Sequence, residues 1–103
     1  MLKIVNSSEF KKEIQSGTVV VDFFATWCGP CKMLSPVLEG LSNEMQGKAK
    51  IIKVDVDASS DLANQFQITT VPTMKIFKDG QNVDTLVGFL PKAKIQRTIE
   101  ANL

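Results

Sequence analysis

Histidine is absent from this 103-residue chain, arginine occurs once, at Arg97, and cysteine twice, at Cys28 and Cys31. Each shortage excludes something. A structural zinc site normally takes four ligands from Cys and His, and two cysteines without a histidine cannot complete one alone. Arg forks are the usual tool for phosphate recognition. Here 11 of the 12 basic residues are Lys, spread along the chain, so that tool is nearly missing. Twelve basic against 11 acidic side chains, a net charge of +1, leave no footprint for nucleic acid or an acidic membrane surface. No run approaches the ~20 apolar residues needed to span a bilayer. The opening Met1-Leu2-Lys3-Ile4-Val5-Asn6 has neither a long apolar stretch nor a small-residue cleavage site, so no secretion signal is expected and the cytoplasm is the expected compartment. Disulfide-stapled secreted domains carry more Cys in less chain. One close pair points instead to chemistry or metal.

What is present is an ordinary globular balance, 44% hydrophobic and 22% charged, in a length that fits one domain, 1–103, able to bury a core without staples. Apolar and amphipathic segments alternate. Leu2 to Val5 reads as a short strand. Asn6 is placed as a helix N-cap with Glu9 completing a capping box, and Val5 and Phe10 as its hydrophobic staple; Gly17 is expected to end that helix. Thr18 to Ala25 is apolar on both faces except for Asp22, the pattern of a central strand covered on both sides. Trp27 to Pro30 is a turn. From about Pro30 to Gln46 the stripe Leu34, Leu38, Leu41 and Met45, widened by Met33 and Val37, predicts a helix. Pro36 should kink it and Gly47 cap it. Ile51 to Val56 is a strand, and Ser59 or Ser60 caps a short helix carrying Leu62, Ala63 and Phe66. Thr73 to Phe77 and Val83 to Val87 form a hairpin around Asp79-Gly80. Pro91 fits the first turn of a last helix with Ile95 and Ile99 on one face. The order β-α-β-α-β-α-β-β-α implies an α/β fold, a mixed sheet with helices on both faces. In such sheets reactive groups gather beyond the carboxyl ends of strands, where Cys28 falls.

Trp27-Cys28-Gly29-Pro30-Cys31-Lys32 carries the chemistry. A helix starting near Cys28 would put that sulfur among unpaired N–H groups and the positive dipole end, lowering its pKa and activating it as a thiolate. Cys31, three residues on, is spaced to bond with it. Gly29 permits the tight approach and Pro30 presets the first turn. The expected cycle has Cys28, the more exposed sulfur, attack a substrate disulfide and Cys31 resolve the mixed disulfide. The competing readings are weaker. A purely structural bridge closing about four residues would remove only ~2 kcal/mol of chain entropy. Inert buried thiols fit poorly with an intervening Gly-Pro turn. Asp22, a carboxylate in an apolar strand, should have a raised pKa and could exchange a proton with Cys31 during resolution; the structural alternative is a buried ion pair with Lys53.

The segment Asp22-Phe23-Phe24-Ala25-Thr26-Trp27-Cys28-Gly29-Pro30-Cys31-Lys32 resembles the active-site segment of the thioredoxin family. Lys53-Val54-Asp55-Val56-Asp57, Val71-Pro72-Thr73, Phe77-Lys78-Asp79-Gly80 and Val87-Gly88 follow in that family's order and spacing, so the resemblance covers essentially the whole chain. It implies the thioredoxin fold, a central mixed sheet of about five strands flanked by four helices. It also implies a protein-disulfide reductase in which Cys28 attacks, Cys31 resolves, and a buried Asp22, modulated by Lys53, handles a proton. Pro72 is implied to be cis, facing the dithiol and keeping a backbone N–H from the sulfurs, where an ordinary reading would make the bond trans. Val71 would offer backbone hydrogen bonds to an extended substrate. Trp27, Gly29, Pro30, Val71, Pro72, Gly88 and Phe89 would form an apolar docking surface around Cys28; the alternative for Trp27 is core packing.

Several further expectations follow from the resemblance. The partners would be disulfide-containing proteins and a thioredoxin reductase, a flavoenzyme drawing on NADPH. No bound cofactor or metal, no nucleic acid, no membrane and a monomeric state are expected. Phe24 stands where a second Trp is often found, and Thr70, Phe89 and Leu90 also depart from the commoner pattern, which bears on partner preference. Oxidase and isomerase relatives typically carry a His between the cysteines, which Gly29-Pro30 lacks. A binding module on the same fold is the rival from another class.

Overall fold

A computed structural model describes residues 2–103. Five strands and four helices alternate: β1 (Lys3–Ile4), α1 (Ser7–Glu13), β2 (Thr18–Phe24), α2 (Gly29–Glu44), β3 (Ala49–Asp55), α3 (Ser60–Gln65), β4 (Thr73–Lys78), β5 (Gln81–Val87) and α4 (Lys92–Glu100). The strands form one sheet in the order β1-β3-β2-β4-β5. β1, β3 and β2 run parallel, while β4 is antiparallel to β2 and β5 to β4. This is the mixed α/β sheet with four helices expected from the element pattern.

β2 lies at the centre and all seven of its residues are buried. Alternation sends Val19, Val21 and Phe23 to one face, into a core with Phe10 of α1, Ile14 just after it, Leu62 of α3 and Phe77 of β4. Val20 goes to the other face, with Leu34, Leu38 and Leu41 of α2 and Ile95 and Ile99 of α4. A seven-residue strand without a polar face can be satisfied only by cover on both sides. α2 supplies one cover because its leucines recur at helical spacing.

Local signals decide the ends. Asn6 caps α1 through its side chain on the Glu9 N–H, and Glu9 reaches back to the Asn6 N–H, closing the capping box. α1 stops at Glu13, four residues before Gly17. Gly17 instead takes a left-handed conformation (φ +73°) in the turn into β2. α2 begins at Gly29 and runs unbroken through Pro36. The hairpin turn has Asp79 and Gly80 both at positive φ, the mirror-image geometry that matches strand twist. Its second strand starts at Gln81, two residues before the apolar Val83, because backbone pairing continues into polar positions. Pro91 occupies the N-cap of α4 and the helix begins one residue later, so its locked φ serves entry rather than the first turn.

Leu38 has no exposed surface and sits where α2 meets the sheet. Leu38→Ala is expected to cost about 2–5 kcal/mol, read as a lower guanidinium midpoint with an unchanged denaturant slope.

Candidate active site

The chain leaves the end of β2 at Phe24 and turns through Ala25, Thr26 and Trp27 before α2 starts. Cys28 is the N-cap of α2, in extended conformation, and its sulfur accepts the Cys31 backbone N–H at 3.1 Å. Cys28 N–H donates to Ala25 O and Lys32 N–H to Cys28 O, fixing the turn on both sides. Pro30 stands within the first helical turn, where its missing N–H is not needed. Cys28 and Cys31 are joined by a disulfide, with Cα atoms 5.3 Å apart. With the bond reduced, the N–H that reaches Cys28 Sγ would favour its thiolate, together with the helix dipole.

The expected exposure of Cys28 is not observed. It is 5% exposed against 3% for Cys31, and both pack with Phe24 and Ala25, flanked by Val56 and Val71. The sulfurs differ less in exposure than in position, one capping the helix and one inside its first turn.

The Val71–Pro72 peptide bond is cis. Val71 O lies 3.7 Å from Cys28 Sγ, within reach of the thiol proton in the reduced form. Pro72 O accepts the Gly88 N–H at 2.8 Å, with Gly88 at φ +92°, so the loop after β5 is tied to the loop before β4 beside the dithiol. Trp27 is 70% exposed, which removes core packing as its role. Its indole Nε1–H donates to Asp57 Oδ2 at 2.9 Å and fixes the ring. Gly29 and Pro30 are exposed, as is Phe89. Phe89 lies next to Gly88 in sequence and packs into none of the buried clusters.

Asp22 has no exposed surface, and neither carboxylate oxygen has a hydrogen-bond partner. Burial raises its pKa from 3.8 to about 7, against a smaller opposing pull from the Lys53 charge. Lys53 is its register partner on β3 and Met74 on β4. The buried ion pair with Lys53 that the sequence allows is not formed. Instead Lys53 Nζ donates to Ser35 Oγ at 2.7 Å and lies 4.3 Å from the centre of the Phe24 ring. A cavity of about 210 Å³ beside the disulfide is lined by Phe24, Ala25, Thr26, Cys31, Lys32, Ser35 and Lys53. Residue type alone points to neither Asp57 nor Ser35. Asp57 belongs to the Lys53–Asp57 landmark, a usable signal, whereas Ser35 has none, since its partner is brought to it by sheet packing.

The arrangement defines a dithiol–disulfide exchange protein: a Cys pair across the first turn of a helix, at the end of a central strand, beside a cis-proline loop. The family model described as Thioredoxin matches residues 1–101. Thioredoxins of Staphylococcus saprophyticus, Staphylococcus haemolyticus and Staphylococcus aureus are 50%, 48% and 46% identical to it over 99 residues, which is 96% of this chain and 95% of each relative. The chain belongs to the thioredoxin family. It is a thiol–disulfide oxidoreductase, with the Cys28–Cys31 pair as its redox-active disulfide. Among the described residues no helix is long and apolar enough to cross a membrane.

The Asp22 environment makes stability depend on pH. Below about pH 4 the carboxyl is protonated in folded and unfolded chains alike. Between 3.8 and about 7 the unfolded chain releases the proton and the folded one keeps it, so Asp22 lowers stability progressively as pH rises, by about 1.4 kcal/mol per pH unit. Above about 7 the loss levels off. Asp22→Ala should remove this slope. Denaturant unfolding of the oxidised proteins is expected to show the variant gaining on wild type from pH 4 to 7, with a total gap of about 4 kcal/mol. The difference isolates Asp22 from Glu13, whose carboxyl is held low by Lys3 and Lys50 and acts in the opposite sense.

Proposed function

We propose that this chain works as one domain, residues 1–103, that reduces protein disulfides in the cytoplasm as a monomer. Cys28 thiolate attacks a sulfur of the substrate disulfide. A Cys28–substrate disulfide forms and the other substrate sulfur leaves as a thiolate. Ionised Asp22 takes the proton of the Cys31 thiol, Cys31 sulfur attacks Cys28 Sγ, and the remaining substrate sulfur leaves. The substrate gains two electrons, and Cys28 and Cys31 end as the disulfide. A thioredoxin reductase, a flavoenzyme drawing electrons from NADPH, returns the pair to the dithiol. The catalytic residues in this reading are Cys28, Cys31 and Asp22. Gly29 and Pro30 shape the turn, Lys53 and Pro72 tune it, and Trp27, Val71, Gly88 and Phe89 receive the substrate. No metal or bound organic cofactor takes part.

The observation that carries the reading is the Cys31 N–H on Cys28 Sγ at the start of α2. It singles out Cys28 as the sulfur whose negative charge has a prepared donor. Support for substrate docking comes from the Val71 carbonyl beside that sulfur and the exposed Trp27 and Phe89 rings. Gly29-Pro30 places no cation between the sulfurs, which favours the reducing direction over the oxidase or isomerase one.

Cys28→Ser is expected to abolish disulfide reduction, and Cys31→Ser to accumulate the mixed disulfide, both read by mass spectrometry after mixing with a disulfide protein. Persistent activity of Cys28→Ser refutes the assignment. Equilibration in graded glutathione buffers, followed by Trp27 fluorescence, should give a reducing potential; an oxidising one favours the oxidase or isomerase. Asp22→Ala should slow the resolution step by about 100-fold or more and remove its fall below about pH 7. Unchanged kinetics across pH would leave Asp22 structural.

A further inference from the structure

Lys53 stands between two possible partners. Its register neighbour on β2 is Asp22, a carboxylate with two unsatisfied oxygens. Above both is α2, where Ser35 follows Cys31 by four residues and therefore lies on the same helix face, one turn further in. In a low-dielectric setting an opposite charge is the stronger attraction, yet the ammonium is on the Ser35 hydroxyl at 2.7 Å and over the Phe24 ring, and Asp22 forms no ion pair with it. Ser35 and Lys53 line both cavities at this place, the one of about 210 Å³ reaching Cys31 and one of about 220 Å³ reaching Glu39.

We propose that Ser35 is a positioning residue: its hydroxyl holds the Lys53 ammonium at the protein surface, out of ion-pair reach of Asp22, and thereby sets how readily Asp22 exchanges a proton. The groups facing Asp22 leave Lys53 as the charge that can be moved. β3 contributes Lys53 and β4 contributes Met74. The residues that α2 and α4 bury are Cys31, Leu34, Leu38, Leu41, Ile95 and Ile99, none of them charged. Lys32 and Glu39 are on the exposed side of α2, where they border Lys53. With the hydroxyl removed, the ammonium keeps the Phe24 ring and loses its outer partner, and Asp22, its register partner across the sheet, attracts it more than Glu39 does, because Glu39 is exposed and its charge is screened by solvent. The consequence for the rate rests on the reading of Asp22 as the proton partner of Cys31; the placement of Lys53 does not.

The test is the protonation midpoint of Asp22, followed by the carboxyl 13C shift in the oxidised protein, where the cysteines do not titrate. Ser35→Ala replaces a hydroxyl by a good helix former and is expected to lower the midpoint by about 1–3 pH units, the effect of an adjacent opposite charge. Lys53→Met should raise it, and Ser35→Ala added to Lys53→Met should do nothing more. A midpoint that Ser35→Ala leaves in place or raises overturns the proposal, as does an equal lowering in the Lys53→Met background. If the midpoint falls as expected while the pH profile of mixed-disulfide resolution stays put, Ser35 holds Lys53 as proposed and the proton role of Asp22 fails instead.

Discussion

Cover on both faces of β2 is the constraint from which the other features follow. Seven consecutive buried residues leave the strand no place but the middle of the sheet, with helices above and below. That position determines where the chain emerges. Ala25 and the short turn after it open at the carboxyl ends of the parallel strands, the place where reactive groups collect in such sheets. α2 must then turn back at once so that Leu34, Leu38 and Leu41 can lie on the strand that has just ended. A helix that starts so abruptly presents its free N–H groups at the turn, and Cys28 is the residue that meets them.

The same burial isolates Asp22. A fully buried carboxyl with no hydrogen-bond partner is a local defect in an otherwise well-satisfied core, and such defects cluster at functional sites. Desolvation exceeds the pull of Lys53, whose ammonium lies on a hydroxyl and an aromatic ring instead. The result is a group that changes protonation near neutrality without a histidine in the chain.

Most of the architecture was legible because it is written in local patterns. Leucines at helical spacing, the Asn6 and Glu9 pair and the Asp79-Gly80 turn each specify an element by themselves. The errors lie at ends. Gly17 was a plausible stop for α1, yet the helix yields four residues earlier and the glycine serves the turn instead. β5 extends over Gln81 and Asn82 because strand pairing uses backbone groups that side-chain patterning does not report. In the site, the dithiol and Asp22 are readable from residue type and spacing, whereas the cis-proline loop is implied only by the family resemblance, because residue type alone favours a trans bond. The burial of Cys28 and the hydroxyl that takes Lys53 are not readable. Both depend on which loop or helix arrives from elsewhere: the Val71 loop in one case, and α2 lying over β3 in the other.

The two outer strands show another side of the architecture. β1 is only two residues long, and β5 is largely exposed, Val83 and Val87 included, but is broken by a register irregularity at Ile76/Phe77, where the Asn82 amide donates to Ile76 O and Asp84 O. Short and bulged edges are poor templates for a further strand. For a thiol–disulfide oxidoreductase, strand addition at an open edge would compete with contact at the dithiol. The two-residue β1 and the bulge in β5 make both margins of the sheet poor places for such pairing.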